Sequence, residues 1–166
     1  MANTYELIAS QTLATTATSI TFSSIPSTYT DLELVMSART NTNAIVDALF
    51  MSLNGSSASF TGKYLQGDGS TVVSGSLAQY VGGTEGSQPT ANIFHNAKIY
   101  IPNYAGSNYK SYSADSAHEN NATTAYAGLV AGLWSNTAAI TSITIGPGSN
   151  SFITNSTFYL YGIKNS

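Results

Sequence analysis

Three short groups of residues are the ones equipped for chemistry. In the first, Asp115-Ser116-Ala117-His118-Glu119 sets a histidine between two acids. Metal binding or proton transfer there would need other groups to converge on it. The chain has one further histidine, His95, in the strand-like run Ile93-Phe94-His95-Asn96-Ala97. The stretch from Asp115 to Thr124 is polar and reads as a solvated loop. His95 reads as a face or interface residue hydrogen-bonded to a neighbour. In the second group, Asp31 and Glu33 share one side of a strand, with Arg39 further along it. A glycosidase needs two carboxyl groups about 5–9.5 Å apart, a spacing that i, i+2 acids can meet. A plain solvent face explains them more simply. The third group, Gly67-Asp68-Gly69-Ser70, resembles a fragment of a calcium loop without the other spaced acids, and turn chemistry accounts for it. Neither a Gly-x-Ser-x-Gly elbow nor a Gly-x-x-x-x-Gly-Lys phosphate loop occurs. The chain is therefore read as not an enzyme, with no catalytic, metal or cofactor site.

Tyrosine is the other functional resource. Tyr80, Tyr104 and Tyr109 fall in segments read as loops. An exposed tyrosine ring can stack on a sugar, and it can equally supply subunit contact area at little entropic cost. The three are candidate interface or glycan contacts, and the sequence does not separate the two uses.

The elements that must position these residues follow from composition. Charged residues make up 8% of the 166, against about 25% in an ordinary domain. Ser, Thr, Asn and Gly supply 73 positions, and there are eleven Tyr and six Phe. Helical solvent faces are built largely from Glu, Lys and Arg, which are scarce here. Short strands with Thr and Tyr outward, joined by Ser/Gly/Asn turns, suit this material. The five cations, Arg39, Lys63, Lys98, Lys110 and Lys164, are scattered and the net charge is −3. A phosphate backbone or an anionic membrane calls for a basic cluster, so neither nucleic acid nor membrane is an expected partner. No run of about 18 apolar residues occurs. The opening MANTYELIAS lacks the basic start and apolar stretch of a secretory signal. Without such a signal, the Asn-x-Ser/Thr triplets at Asn54, Asn121 and Asn155 read as chance. There is no cysteine, which removes disulfides and thiolate chemistry.

Apolar residues alternate with period 2, the strand signal. Tyr5, Leu7 and Ala9 share one face. Asp31 to Arg39 puts Leu32, Leu34, Met36 and Ala38 on the buried side. Ala48 to Leu53 ends at Asn54-Gly55, a favoured hairpin corner. Further strands are expected over Ser19 to Phe22, Ala91 to Ile101, Lys110 to Ala114, Ala125 to Trp134, Thr141 to Gly146 and Thr157 to Ile163. Gly67 to Pro89, rich in Gly and Ser, reads as a long loop that covers one end or reaches a neighbour. The expectation is one all-β domain over 1–166, a jelly-roll-like antiparallel β-sandwich of about 8–10 strands.

Several phrases carry a family resemblance: YELIASQTL, SITFSSIPSTYTDLELVMSAR, the Leu53-Asn54-Gly55 corner, IYIPNY, LWSNTAAITSITI and the closing FYLYGIK. Together they resemble small virion structural proteins of tailed bacteriophages, with Gly67 to Pro89 matched least. The resemblance implies a jelly-roll protein on the outer surface of the particle. It implies a capsid decoration or cement protein, homotrimeric and bound to the major capsid protein. The alternative it allows is a tail-fibre or baseplate module that recognises host glycans. No shared functional motif comes with it.

Overall fold

Alternation of large apolar and hydroxyl-bearing residues produces strands throughout, and they run further than the sequence pattern indicates. The computed structural model describes residues 4–120 and 124–164. Among these are twelve strands: β1 (Tyr5–Thr12), β2 (Ile20–Phe22), β3 (Asp31–Ala38), β4 (Val46–Leu53), β5 (Phe60–Gly67), β6 (Val72–Ser76), β7 (Tyr80–Glu85), β8 (His95–Ile101), β9 (Lys110–Asn120), β10 (Thr124–Trp134), β11 (Ile143–Pro147) and β12 (Thr157–Ile163). They form an eight-stranded sheet, β1-β12-β3-β8-β9-β10-β5-β6, and a four-stranded sheet, β2-β11-β4-β7. All the strand pairs are antiparallel.

The strand order is jelly-roll-like. When β5, β6, β9 and β10 are set aside, eight strands remain in two sheets ordered 1-8-3-6 and 2-7-4-5. That is the double Greek-key sandwich. The other four strands are two hairpin insertions, β5–β6 and β9–β10, which pair with each other and widen one sheet to twice the other.

The core lies between the sheets. From the large sheet come Leu32, Leu34 and Met36 of β3, Ile99 of β8, and Phe158 and Leu160 of β12; facing them are Ile20, Leu49, Met51, Leu53, Ile143 and Ile145. Phe152 and Phe158 meet edge to face at 5.1 Å. Under the inserted hairpins, Phe60 stacks on Trp134 at 6.2 Å and meets Tyr112 edge-on. The strand from Asp31 shows the expected buried set, with Leu32, Leu34, Met36 and Ala38 all enclosed.

Four expectations are corrected. Gly67 to Pro89 is no loop, since it contains β6 and β7. Every residue of β7 is buried, and its middle is approached so closely that small side chains are needed there. A Cβ on Gly83 would meet Val46 and the His118 ring, and one on Gly82 would meet Ser116. Gly82 also adopts φ 125° beside a β-bulge, a conformation that favours glycine. The polar run from Asp115 is strand as well: β9 continues to Asn120, alternating Tyr112, Ala114, Ser116 and His118 inward. Asn121, and with it the second triplet, lies outside the described residues. At β1, a register shift between Leu7 and Ala9 reverses the face, leaving Tyr5 and Leu7 half-exposed. Finally, Asn54-Gly55 is a tight turn with φ 52° and 72°, as a type I′ turn requires. It does not join two paired strands, because β5 crosses to the other sheet. Asn54 instead uses its side chain to hold the segment before β11, accepting from the Thr141 and Ser142 N–H groups and donating to the Ala139 carbonyl.

Phe158 is fully buried at the centre of this packing. Phe158→Ala is expected to cost about 3–5 kcal/mol, read as a lowered urea midpoint at unchanged slope.

Candidate functional site

The chemically equipped residues do converge, but inside the sandwich. The inward turn of β9 carries Ser116 and His118 toward β7, which contributes Thr84 and Glu85; β8 contributes His95, and the end of β3 leads to Arg39. All six are buried. The sequence concealed this because polar residues occupy the inward positions, so the strand period is present in β9 without its usual apolar signature.

Arg39 is a mechanical hub. Its guanidinium donates to the carbonyls of Thr90 (2.6 Å), Pro89 (2.8 Å), Ile93 (2.9 Å) and Ser87 (3.2 Å). A fixed fork of donors thereby holds the connection between β7 and β8. The backbone of Arg39 forms a parallel bridge with Glu85, and the N–H of Thr40 donates to the Glu85 carbonyl at 2.8 Å. Arg39 is thus no member of a solvent face. The Glu85 carboxylate accepts the backbone N–H of Glu119. Burial pushes its pKa up, opposed by that hydrogen bond. Glu119 in turn accepts from the Thr90 N–H (3.0 Å) and hydroxyl (2.7 Å).

The histidines are held neutral. His95 Nδ1 lies 2.7 Å from the Ala38 carbonyl and therefore carries the ring proton; the Thr84 hydroxyl is 2.8 Å away and donates to the same carbonyl. Burial brings the pKa of His95 down to about 4, against the opposing effect of the Ala38 bond and with help from repulsion by His118. Burial alone brings His118 to about 4. Its ring packs on Tyr126 at 5.1 Å. Neither His118 nitrogen, nor Ser116 Oγ, nor His95 Nε2 bonds another described residue. A Ser–His nucleophilic pair needs hydrogen-bond contact, which is missing here. Among the described residues, no group of three His, Asp or Glu is placed to hold a metal ion. The cluster orders the fold, and an open hollow between Phe94, Glu119 and Thr124 reaches its members Glu85 and His118.

The other candidates are engaged structurally. Asp31 accepts the Tyr100 hydroxyl (2.7 Å) and the Asn103 N–H (2.8 Å). Glu33 is buried, ion-paired with Lys98 at 3.0 Å and bonded by the Tyr5 hydroxyl at 3.4 Å. The plain solvent face expected there is a network on the outer side of the large sheet. Asp68 caps its own turn, accepting the N–H groups of Thr71 (2.7 Å) and Ser70 (2.9 Å), which lowers its pKa. Of the three tyrosines, the structure buries two. Tyr80 begins β7 and packs on Tyr64 at 5.2 Å. Tyr104 is fully enclosed and donates its hydroxyl to the Pro26 carbonyl. Tyr109 alone is free for contact, at 60% exposure.

Much of the exposed apolar surface lies on the large sheet. At one end stand Tyr5 and Leu7, and at the other Leu65 of β5 and Leu129 of β10, paired across the strands. Beside the second pair a shallow trough of about 470 Å³ is lined by Lys63, Leu65, Ser74, Ser76, Leu129 and Ala131. Alternation places all six of these side chains on the outer face. No protein-family model matches the chain, and a search of curated proteins finds no significant match.

The two histidines set the acid limit of stability. In the unfolded chain they protonate near 6.5, whereas in the fold they stay neutral to about 4. The unfolded state then binds more protons below pH 6.5, so stability falls as pH drops from 6.5 to 4, by roughly 3 kcal/mol for each histidine. Glu85, with its raised pKa, works in the opposite sense, adding stability as pH falls toward 4.5. His118→Phe is expected to flatten the decline. Urea unfolding at pH 7.5 and pH 4.5 reads the difference, and an equal decline in both proteins would refute the assignment.

Proposed function

We propose that the protein is a structural component of a tailed-phage particle, decorating the outside of the capsid and stabilising the shell by multivalent contacts with the major capsid protein. The observation that carries this reading is the division of the molecule into two parts. Its histidines and Glu85 are buried in the packing, while the two ends of its broad outer sheet present apolar and aromatic side chains on either side of the Glu33–Lys98 pair. Such a surface favours docking by shape and contact area. The phrases that resemble small phage virion proteins point the same way. A protein that binds the assembled shell, and not its separated subunits, stabilises the shell by mass action. Each copy bridging two subunits adds an intramolecular second contact at high effective concentration.

Two measurements test the reading. Particles carrying the protein are expected to release DNA at a higher temperature than particles stripped of it; equal temperatures would count against clamping. Leu129→Glu changes a half-exposed outer position and is expected to leave folding intact while weakening particle binding at least tenfold.

Host-glycan recognition by a tail protein is the second reading, favoured by Tyr109 at the surface. Saturable sugar binding on a glycan array, lost in Tyr109→Ala, would establish it in place of the first.

A further inference from the structure

We propose that β6 is a pairing edge, through which two copies of this chain join their large sheets into one continuous sheet about a twofold axis at Ser74. β6 is an outer strand of that sheet, bonded on one side only, to β5. It is exposed at every residue but Gly75, with Val72 at 73% and Val73 at 52%. Strand edges in monomeric proteins are usually protected by charge, proline or a bulge. Val72-Val73-Ser74-Gly75-Ser76 has no charge and no proline, and its pairing with β5 is regular.

The hydrogen-bond parity selects the register. Leu77 donates to the Gly62 carbonyl and Asp68 donates to the Thr71 carbonyl. Thr71, Val73, Gly75 and Leu77 therefore point their backbone groups toward β5. Antiparallel alternation leaves the N–H and C=O groups of Val72, Ser74 and Ser76 directed outward. An antiparallel partner centred on Ser74 places Ser74 opposite Ser74 and Val72 opposite Ser76, so all three outward residues meet outward residues. A shift by one residue would set outward groups against inward ones.

The side chains agree with this register. It puts Val73 opposite Gly75 of the other copy. Gly75 has no Cβ, and the Tyr64 ring lies across it, at 2.7–2.8 Å from where a Cβ would stand. Val73 gains an aromatic surface in place of water. On the outer face the Leu129–Leu65 pair of each copy extends toward the seam, joining two apolar strips into one. Charges are complementary as well. Lys63 reaches the edge and donates to the Ser76 hydroxyl, while the Asp68 turn lies at the opposite end of β6. Twofold pairing brings each lysine to the end of the seam that carries the other copy's aspartate. A threefold contact, as the family resemblance implies, would use a different surface.

The absence of cysteine makes a direct test possible. Ser74→Cys is expected to cross-link into a disulfide dimer under mild oxidation, because strands paired at this residue set its Cα atoms within disulfide range. Ser57→Cys, exposed but away from β6, is expected to stay monomeric. Sedimentation velocity of the native chain should show a concentration-dependent dimer. Ser74→Pro removes an outward N–H without touching the β5 ladder and should weaken that dimer at least tenfold. A native protein that stays monomeric, Ser74→Cys that cross-links no faster than Ser57→Cys, or an oligomer insensitive to a folded Ser74→Pro would each overturn the proposal. Should Ser74→Pro fail to fold, the cross-linking comparison decides. Particle binding by a monomeric chain would refute the pairing and leave the proposed function standing.

Discussion

An eight-stranded sheet packed on a four-stranded one has more inner surface than its partner can cover, and the molecule is organised around that mismatch. The surplus strands, β9, β10 and β5, close over β7, so an edge strand of the small sheet becomes wholly enclosed. Enclosure on both faces demands small residues at Gly82 and Gly83. It also directs the inward positions of β9 into a space flanked by backbone. Gly82 and Gly83 accommodate Ser116 and His118, and Gly128 and Gly132 on β10 leave room for Ser116 and the Tyr112 ring. Glycine in this part of the chain is thus a packing residue, although in a list of residue types it resembles loop material.

The scarcity of charge gives each buried ionisable group a structural task. A buried cation without partners is costly. Arg39 meets that cost with four backbone carbonyls, and in doing so fixes the crossing from the small sheet back to the large one. The histidines meet it by remaining neutral. This arrangement makes the interior cohesive near neutral pH and vulnerable to acid, and it leaves few charges to define a polar exterior.

The exterior is accordingly dominated by hydroxyl groups and isolated large apolar residues. Outer positions of the large sheet change character from tyrosine-rich at β1 and β12, through the Glu33–Lys98 pair at β3 and β8, to leucine at β10 and β5. The two ends of this sheet differ as well. β1 ends in a bulged, ion-paired margin near Glu6 and Lys164, whereas β6 pairs regularly and has no charged residue. A structural role in an assembly and a self-pairing edge both draw on the same property, a surface with unmet contact potential and little charge to repel a neighbour.

Period-2 alternation made the all-β sandwich legible from the sequence. The strands from Asp31, Ala48 and Thr157 were readable because large apolar residues occupy most of their inward positions. A one-residue slip would expose all of them, so local pattern and tertiary burial coincide. The composition also determined the scarcity of charge and the lack of any cysteine. Pairing order, the β5–β6 and β9–β10 insertions and the burial of β7 were decided only by the tertiary structure. In those strands glycine, serine and histidine share the inward positions with rings such as Tyr112 and Trp134, and their suitability depends on what packs against them. The same holds for Tyr80 and Tyr104. A tyrosine serves equally as a core ring or a surface contact, and long-range packing, absent from any local window, determines which it becomes.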